Sequence, residues 1–177
     1  MKKKIILSFL SLFIFWNCKN PKENKTPKIE EIKTIDSKAV ILIDTIHSEW
    51  LKKTYGYEQW TPTNEDLNLM QIILDSAIAN NEFDFIKKPI KQNIEKHYRQ
   101  YIPYLNEKGQ KIIEINAFCE LLKIPPKEEL VDIGVTEWTE MDWKNHYIQV
   151  DDGGFCYWKI VLNLDSKEYE DARVNGF

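Results

Sequence analysis

The chain has 177 residues, 43% hydrophobic and 29% charged, with 24 lysines and arginines against 28 acids and a formal net charge of −4. That balance, with no basic patch interleaved with aromatics, excludes nucleic acid as the expected partner, because phosphate backbones are met by clustered positive charge. The length suits one core of moderate size, and no internal repeat points to a solenoid or array.

The first twenty residues, MKKKIILSFLSLFIFWNCKN, set three lysines before an uncharged apolar run from Ile5 to Trp16, followed by Cys18 and polar residues. This is the layout of a bacterial export signal. The run is about a dozen residues long, short of the roughly 18 to 20 that a spanning helix needs. Cys18 stands where a small-residue cleavage site is otherwise found, so the stretch resembles a lipoprotein signal. Such a signal is cut before the cysteine, which is then acylated. Trp16 and Asn17 replace the small residues usual at that point. The sequence therefore predicts a signal peptide over 1–17 and a membrane partner reached through lipid on Cys18, where several acyl chains give lasting attachment. Cleavage removes three lysines and no acids, taking the formal charge from −4 to −7. Residues 19–38, KNPKENKTPKIEEIKTIDSK, are too poor in apolar groups to offset their ordering entropy. Residues 18–38 thus read as a lipidated cysteine and flexible tether, and 39–177 as a single globular domain.

Within that domain, Val40 to Asp44 fits a short buried strand, although a helix continuing through Trp50 fits the same pattern. Thr63 followed by Asp66 resembles a capping box, with Pro62 just before it. Leu67, Met70, Ile73, Leu74, Ala77 and Ile78 then recur at helical spacing, giving one amphipathic helix that ends near Asn80 and Asn81. A second short helix is read between Phe83 and Ile94, interrupted at Pro89. HYRQYIPYL and KIIEINAFC are aromatic and β-branched runs joined by NEKGQ, which reads as a hairpin. HYIQV and FCYWKIVLNL read as a second hairpin. The long acidic segment between the hairpins, residues 120–145, contains a short helix after Pro126, and connections of that length are usually functional. Helix followed by antiparallel strand pairs gives an α+β class: an N-terminal amphipathic helix packed on a curved antiparallel sheet of about four to five strands, a cystatin-like or similar roll.

VDDGGFCYW, residues 150–158, has the look of a site but reads better as a turn. A three-residue loop over Asp152, Gly153 and Gly154 puts Gly154 in the left-handed position and sets Val150 opposite Cys156, Ile148 opposite Trp158 and His146 opposite Ile160. That register keeps one face continuously apolar, and a one-residue slip splits it. The spacing fails the test for an EF-hand calcium loop. Cys119 and Cys156 both fall on predicted strands, so a disulfide between them and a pair of buried free thiols both stand open. A zinc site from them with His97 or His146 has none of the usual ligand spacing, and no metal is predicted. No dinucleotide fingerprint, phosphate loop or catalytic-serine motif occurs, so no cofactor is indicated.

The set YRQY, IEINAFC, VDDGGFCYW and a terminal VNGF resembles small envelope lipoproteins common in Bacteroidota. The resemblance spans residues 40–177. It implies an envelope location and brings no activity or catalytic residue with it. Lys19, Asn20 and Pro21 stand where surface-destined lipoproteins of that group carry an acidic cluster, which implies a periplasm-facing position. The function expected is that of a lipid-anchored, non-catalytic binding module with an envelope protein as partner. Its binding surface is read as one sheet face with the acidic loop: Trp138, Glu140, Asp142 and Trp143, with Arg99 as a guanidinium grip or a buried ion-pair partner. Two other functions fit. One is an immunity or inhibitor protein that blocks a basic cleft with that loop. The other is an envelope hydrolase using His97, Glu114 or Asp151.

Overall fold

The computed structural model describes residues 36–134, 136–170 and 172–176. The expected signal segment, Cys18 and nearly all of the tether lie outside the described residues. From residue 36 on, the chain belongs to one compact unit. Its elements are β1 (Ala39–Ile41), α1 (Thr45–Tyr55), β2 (Glu58–Gln59), α2 (Asn64–Ala79), α3 (Ile90–Ile94), β3 (Tyr98–Leu105) and β4 (Lys111–Phe118). They continue with β5 (Lys123–Ile124), α4 (Glu128–Val131), β6 (Thr139–Glu140), β7 (Gly154–Asn163), β8 (Glu168–Tyr169) and β9 (Arg173–Asn175). Among the described residues no helix is long and apolar enough to cross a membrane.

The fold is α+β around three long antiparallel strands, β3, β4 and β7. Short strands line both outer edges. On β3 these are β1, running parallel, and β2; on β7 they are β8 and β9. The sheet therefore has seven strands instead of the four to five expected, and one pair is parallel. NEKGQ closes the β3–β4 hairpin, with Gly109 at φ 71° taking the left-handed position and Leu105 facing Lys111. In α2 the Thr63–Asp66 capping box is formed in both directions. Helix α2 buries Met70, Ile73, Leu74 and Ala77 against Ile113, Ile115, Trp158, Ile160 and Leu162. Side chains alternate along a strand, so the residues between these point to the opposite face.

That opposite face is where the structure departs from the sequence reading. The hairpin expected between HYIQV and FCYWKIVLNL does not form. Residues 146–150 lie outside any strand, and β7 pairs instead with β4, setting Trp158 against Ala117 and Ile160 against Ile115. With β4 on one edge of β7 and β8 and β9 on the other, no ladder position is left for His146–Val150. The segment crosses the sheet face as a strap held by side chains. Gln100 and Asn116, opposite each other on β3 and β4, are 0% and 2% exposed. Gln100 Nε2 donates to the carbonyls of Trp143 and His146, both at 2.6 Å, and its Oε1 accepts from the Ile148 N–H at 3.0 Å. Asn116 Nδ2 donates to the Ile148 carbonyl at 2.7 Å and to Gln100 Oε1 at 2.9 Å. Two amides thus satisfy four backbone groups of the strap, which would otherwise be buried without partners.

Apolar clusters flank this polar centre. Leu42, Leu51, Ile102, Tyr104 and Ile112 pack on one side, under α1. Phe118, Trp143, Ile148 and Tyr157 pack on the other, under the strap. Cys119 and Cys156 form a disulfide that ties the end of β4 to the start of β7, alongside a backbone bond from Cys119 N–H to the Cys156 carbonyl.

Two outcomes follow from these contacts. Gln100→Leu strips the strap of three hydrogen bonds and leaves buried backbone groups unpaired, so unfolding stability is expected to fall by on the order of 3 kcal/mol. A urea midpoint unchanged from wild type refutes the clamp. Cys119→Ser opens a link across 37 residues and is expected to cost about 4 kcal/mol on the chain-entropy account, read from the same titration under non-reducing conditions.

Candidate functional site

Beside the clamp the same sheet face opens into a groove of about 930 Å³. Its floor comes from the sheet: Glu114 on β4 and Lys159 and Val161 on β7. Each stands between residues that turn to the α2 side, so alternation alone delivers a carboxylate and an ammonium to one surface. One wall is α1, through Ile46, His47 and Trp50; the strap adds Tyr147. The far lip combines residues 149–152 with β9.

Helix α1 is oriented by Asp44. One oxygen of this carboxylate caps the helix, accepting from the N–H groups of Ile46 at 2.9 Å and His47 at 3.3 Å. The other accepts from the Tyr147 N–H at 2.9 Å, tying the helix start to the strap. Burial pushes the Asp44 pKa up, but the three backbone N–H bonds and nearby His146 outweigh it and hold the group below its ordinary value of 3.8.

Three rings then stack in sequence. Tyr147 lies on His47 with centroids 3.8 Å apart and planes 4° from parallel, and His47 lies on Trp50 at 5.5 Å and 25°. Burial, helped by the Lys159 charge and opposed by Asp44, lowers the His47 pKa and favours a neutral ring in this stack. The Tyr147 hydroxyl links the floor, accepting from Lys159 Nζ at 2.5 Å and donating to Glu114 Oε1 at 3.0 Å. Burial first, then the Glu114 carboxylate, pushes the Tyr147 pKa far up. The hydroxyl stays protonated and serves as a fixed donor.

VDDGGFCYW forms the lip where the strap turns into β7. Asp152 and Gly154 both have φ of 57°, in the left-handed region. A Cβ at Gly153 would fall on the Tyr157 ring. The glycines thus have conformational and packing roles, as a turn requires. The expected hairpin register is not formed, because Gly154 pairs with Asn175 of β9, and Asn175 Nδ2 donates to the Val150 carbonyl at 3.4 Å. VDDGGFCYW and residues Val174–Asn175 therefore meet at this lip. Asp151 and Asp152 line the groove.

The residues expected to form a binding surface differ in exposure. Trp138 is 59% exposed, and Glu140 and Asp142 are exposed. Trp143 is only 6% exposed, packed against Phe118 and Tyr98, because the strap draws it into the core. Arg99 is 4% exposed and paired with the half-exposed Asp36 carboxylate. The three hydrolase candidates are also divided. Glu114 and Asp151 line the groove, whereas His97 donates from Nδ1 to the Asn93 carbonyl and packs on Trp158 of the α2-side core. Asp44, His47, Trp50, Tyr147 and Lys159 carry the site and were not singled out from the sequence. Lone charges inside apolar strand runs, Glu114 in KIIEINAF and Lys159 in FCYWKIVLN, were the available signal. Among the described residues no group of three or more metal-ligating side chains occurs. Comparison with family models, curated proteins and solved structures finds no match.

Asp44→Ala is expected to lose about 2 kcal/mol at neutral pH, from the helix cap and the unpaired Tyr147 N–H. Because the folded-state pKa is depressed, this contribution is present above the ordinary carboxylate value and fades as pH falls through the folded-state value. Unfolding midpoints of wild type and variant should therefore converge in acid. A gap that stays constant from neutral to acid pH contradicts the assigned role.

Proposed function

We propose that the protein is a lipid-anchored binding protein of a bacterial cell envelope, held to its membrane through Cys18 and facing the periplasm, on a cystatin-like or similar roll. The anchor rests on the three N-terminal lysines, the short apolar run and Cys18 at its end. Lys19, Asn20 and Pro21 after the cysteine support the periplasmic side, and the resemblance of VDDGGFCYW and VNGF to Bacteroidota envelope lipoproteins points the same way.

The observation that carries the binding reading is the state of the polar groups in the groove. Asp44 is committed to a helix cap and the strap, His47 is stacked between two rings, and Lys159, Tyr147 and Glu114 are bonded in a chain. Such groups orient a ligand. A general base or nucleophile needs a less engaged atom within reach of the substrate. The volume lies within the range of small-ligand pockets. A second reading, an immunity or inhibitor protein, draws on exposed Trp138 with Glu140 and Asp142 in the acidic excursion, where a basic partner cleft would be attracted.

Labelling with a fatty-acid analogue is expected for wild type and lost in Cys18→Ser; equal labelling of both removes the anchor. In a thermal-shift screen of small molecules against the full chain in detergent, a groove ligand at 100 times its Kd should add about 2.7 kcal/mol of stability. The shift should vanish in Lys159→Ala and persist in Trp138→Ala. Conversion of the ligand to product would assign an enzyme instead, and loss of the shift in Trp138→Ala alone would favour the inhibitor reading.

A further inference from the structure

The geometry points to a neutral saccharide as the ligand of the groove, an inference that rests on reading the groove as a binding site. The floor sets an ammonium and a carboxylate on either side of one phenol. Lys159 uses one of its three protons on the Tyr147 hydroxyl, and Glu114 uses one oxygen on the same group. Two N–H donors and one carboxylate oxygen remain to face the groove. Adjacent hydroxyls on a sugar ring match that arrangement, one accepting from the ammonium while its neighbour donates to the carboxylate. The floor charges also compensate each other. A small zwitterion such as an aliphatic amino acid would reach the same two groups but brings no flat C–H face for Trp50, and a phosphate or carboxylate ligand would meet Asp151 and Asp152 at the lip, where Arg173 is already paired with Glu170.

The wall supplies the other half of sugar recognition. Trp50 is 49% exposed although it lies in the groove lining. One neighbour is His47, stacked on it at 5.5 Å, and another is Tyr55, which meets it edge-on at 5.4 Å. A large indole fixed in orientation but left open loses little entropy when a flat apolar surface covers it. The C–H face of a pyranose is such a surface, while its rim carries the hydroxyls. A fatty chain would cover the indole but leave the Lys159 and Glu114 groups desolvated and unpaired. An exposed aromatic surface in the same groove as a charge-balanced donor–acceptor floor is the complement of an amphiphilic ring.

The test uses the full chain in detergent, titrated with methyl glycosides and neutral oligosaccharides of glucose, galactose, mannose and N-acetylglucosamine. Free amino acids and inorganic phosphate serve as comparison probes, with calorimetry and tryptophan fluorescence as readouts. At least one neutral saccharide is expected to bind saturably. Affinity should fall about tenfold in Glu114→Gln, which keeps an acceptor for Tyr147 and so preserves the fold. Trp50→Ala should weaken it by at least as much, and Trp138→Ala should leave it unchanged. Binding of amino acids or phosphate without any neutral saccharide overturns the inference and leaves the groove as a binding site. Failure of every probe, together with no hit in the small-molecule screen, overturns both.

Discussion

Gln100 and Asn116 face each other across the middle of the sheet, where the alternation of β3 and β4 would otherwise place apolar side chains against the strap. Each amide is worth little by itself, since folding exchanges its bonds to water for bonds to protein. Their value lies in what they make affordable for the backbone. A segment that crosses a sheet face cannot use the ladder, and its N–H and C=O groups would be buried without partners. By supplying donors and an acceptor at the right spacing, the pair lets residues 143–148 pack as core without being a strand.

The groove follows from that choice. Once the strap is fixed, Trp143 and Ile148 are drawn into one apolar cluster and Tyr147 is turned toward the opposite side, onto His47 and between Lys159 and Glu114. Asp44 completes the link by capping α1 with one oxygen and holding the strap with the other. Helix, strap and floor are thus joined through two buried polar centres, the amide pair and the Asp44 carboxylate. Between the apolar clusters the sheet face stays partly uncovered, and what it presents there is a fixed, charge-balanced set of polar groups beside a rigid aromatic wall.

Much of the scaffold was legible from local pattern. The Thr63–Asp66 box and the apolar spacing through Ile78 specify α2, and NEKGQ with Gly109 specifies the β3–β4 hairpin. Both signals are short-range, decided by capping, turn chemistry and periodicity. HYIQV misled for a physical reason: its alternation fits a strand, but alternation reports only that one side is buried, not whether the partner is a backbone ladder or two amide side chains. The competition was settled by β4, which pairs with β7 along seven residue pairs and leaves His146–Val150 no edge. Trp143 was misread with it, since its burial depends on where the strap lies.

The sequence by itself determined the α+β class, the helix and its cap, one hairpin, and the turn character of VDDGGFCYW, because each depends on residues within a few positions of one another. Tertiary structure alone decided which strand β7 joins, the bonding of Cys119 to Cys156, and the union of Glu114, Tyr147 and Lys159 with α1. Those outcomes bring together residues separated by tens of positions. They turn on which buried polar group finds a partner, a question that periodicity does not answer.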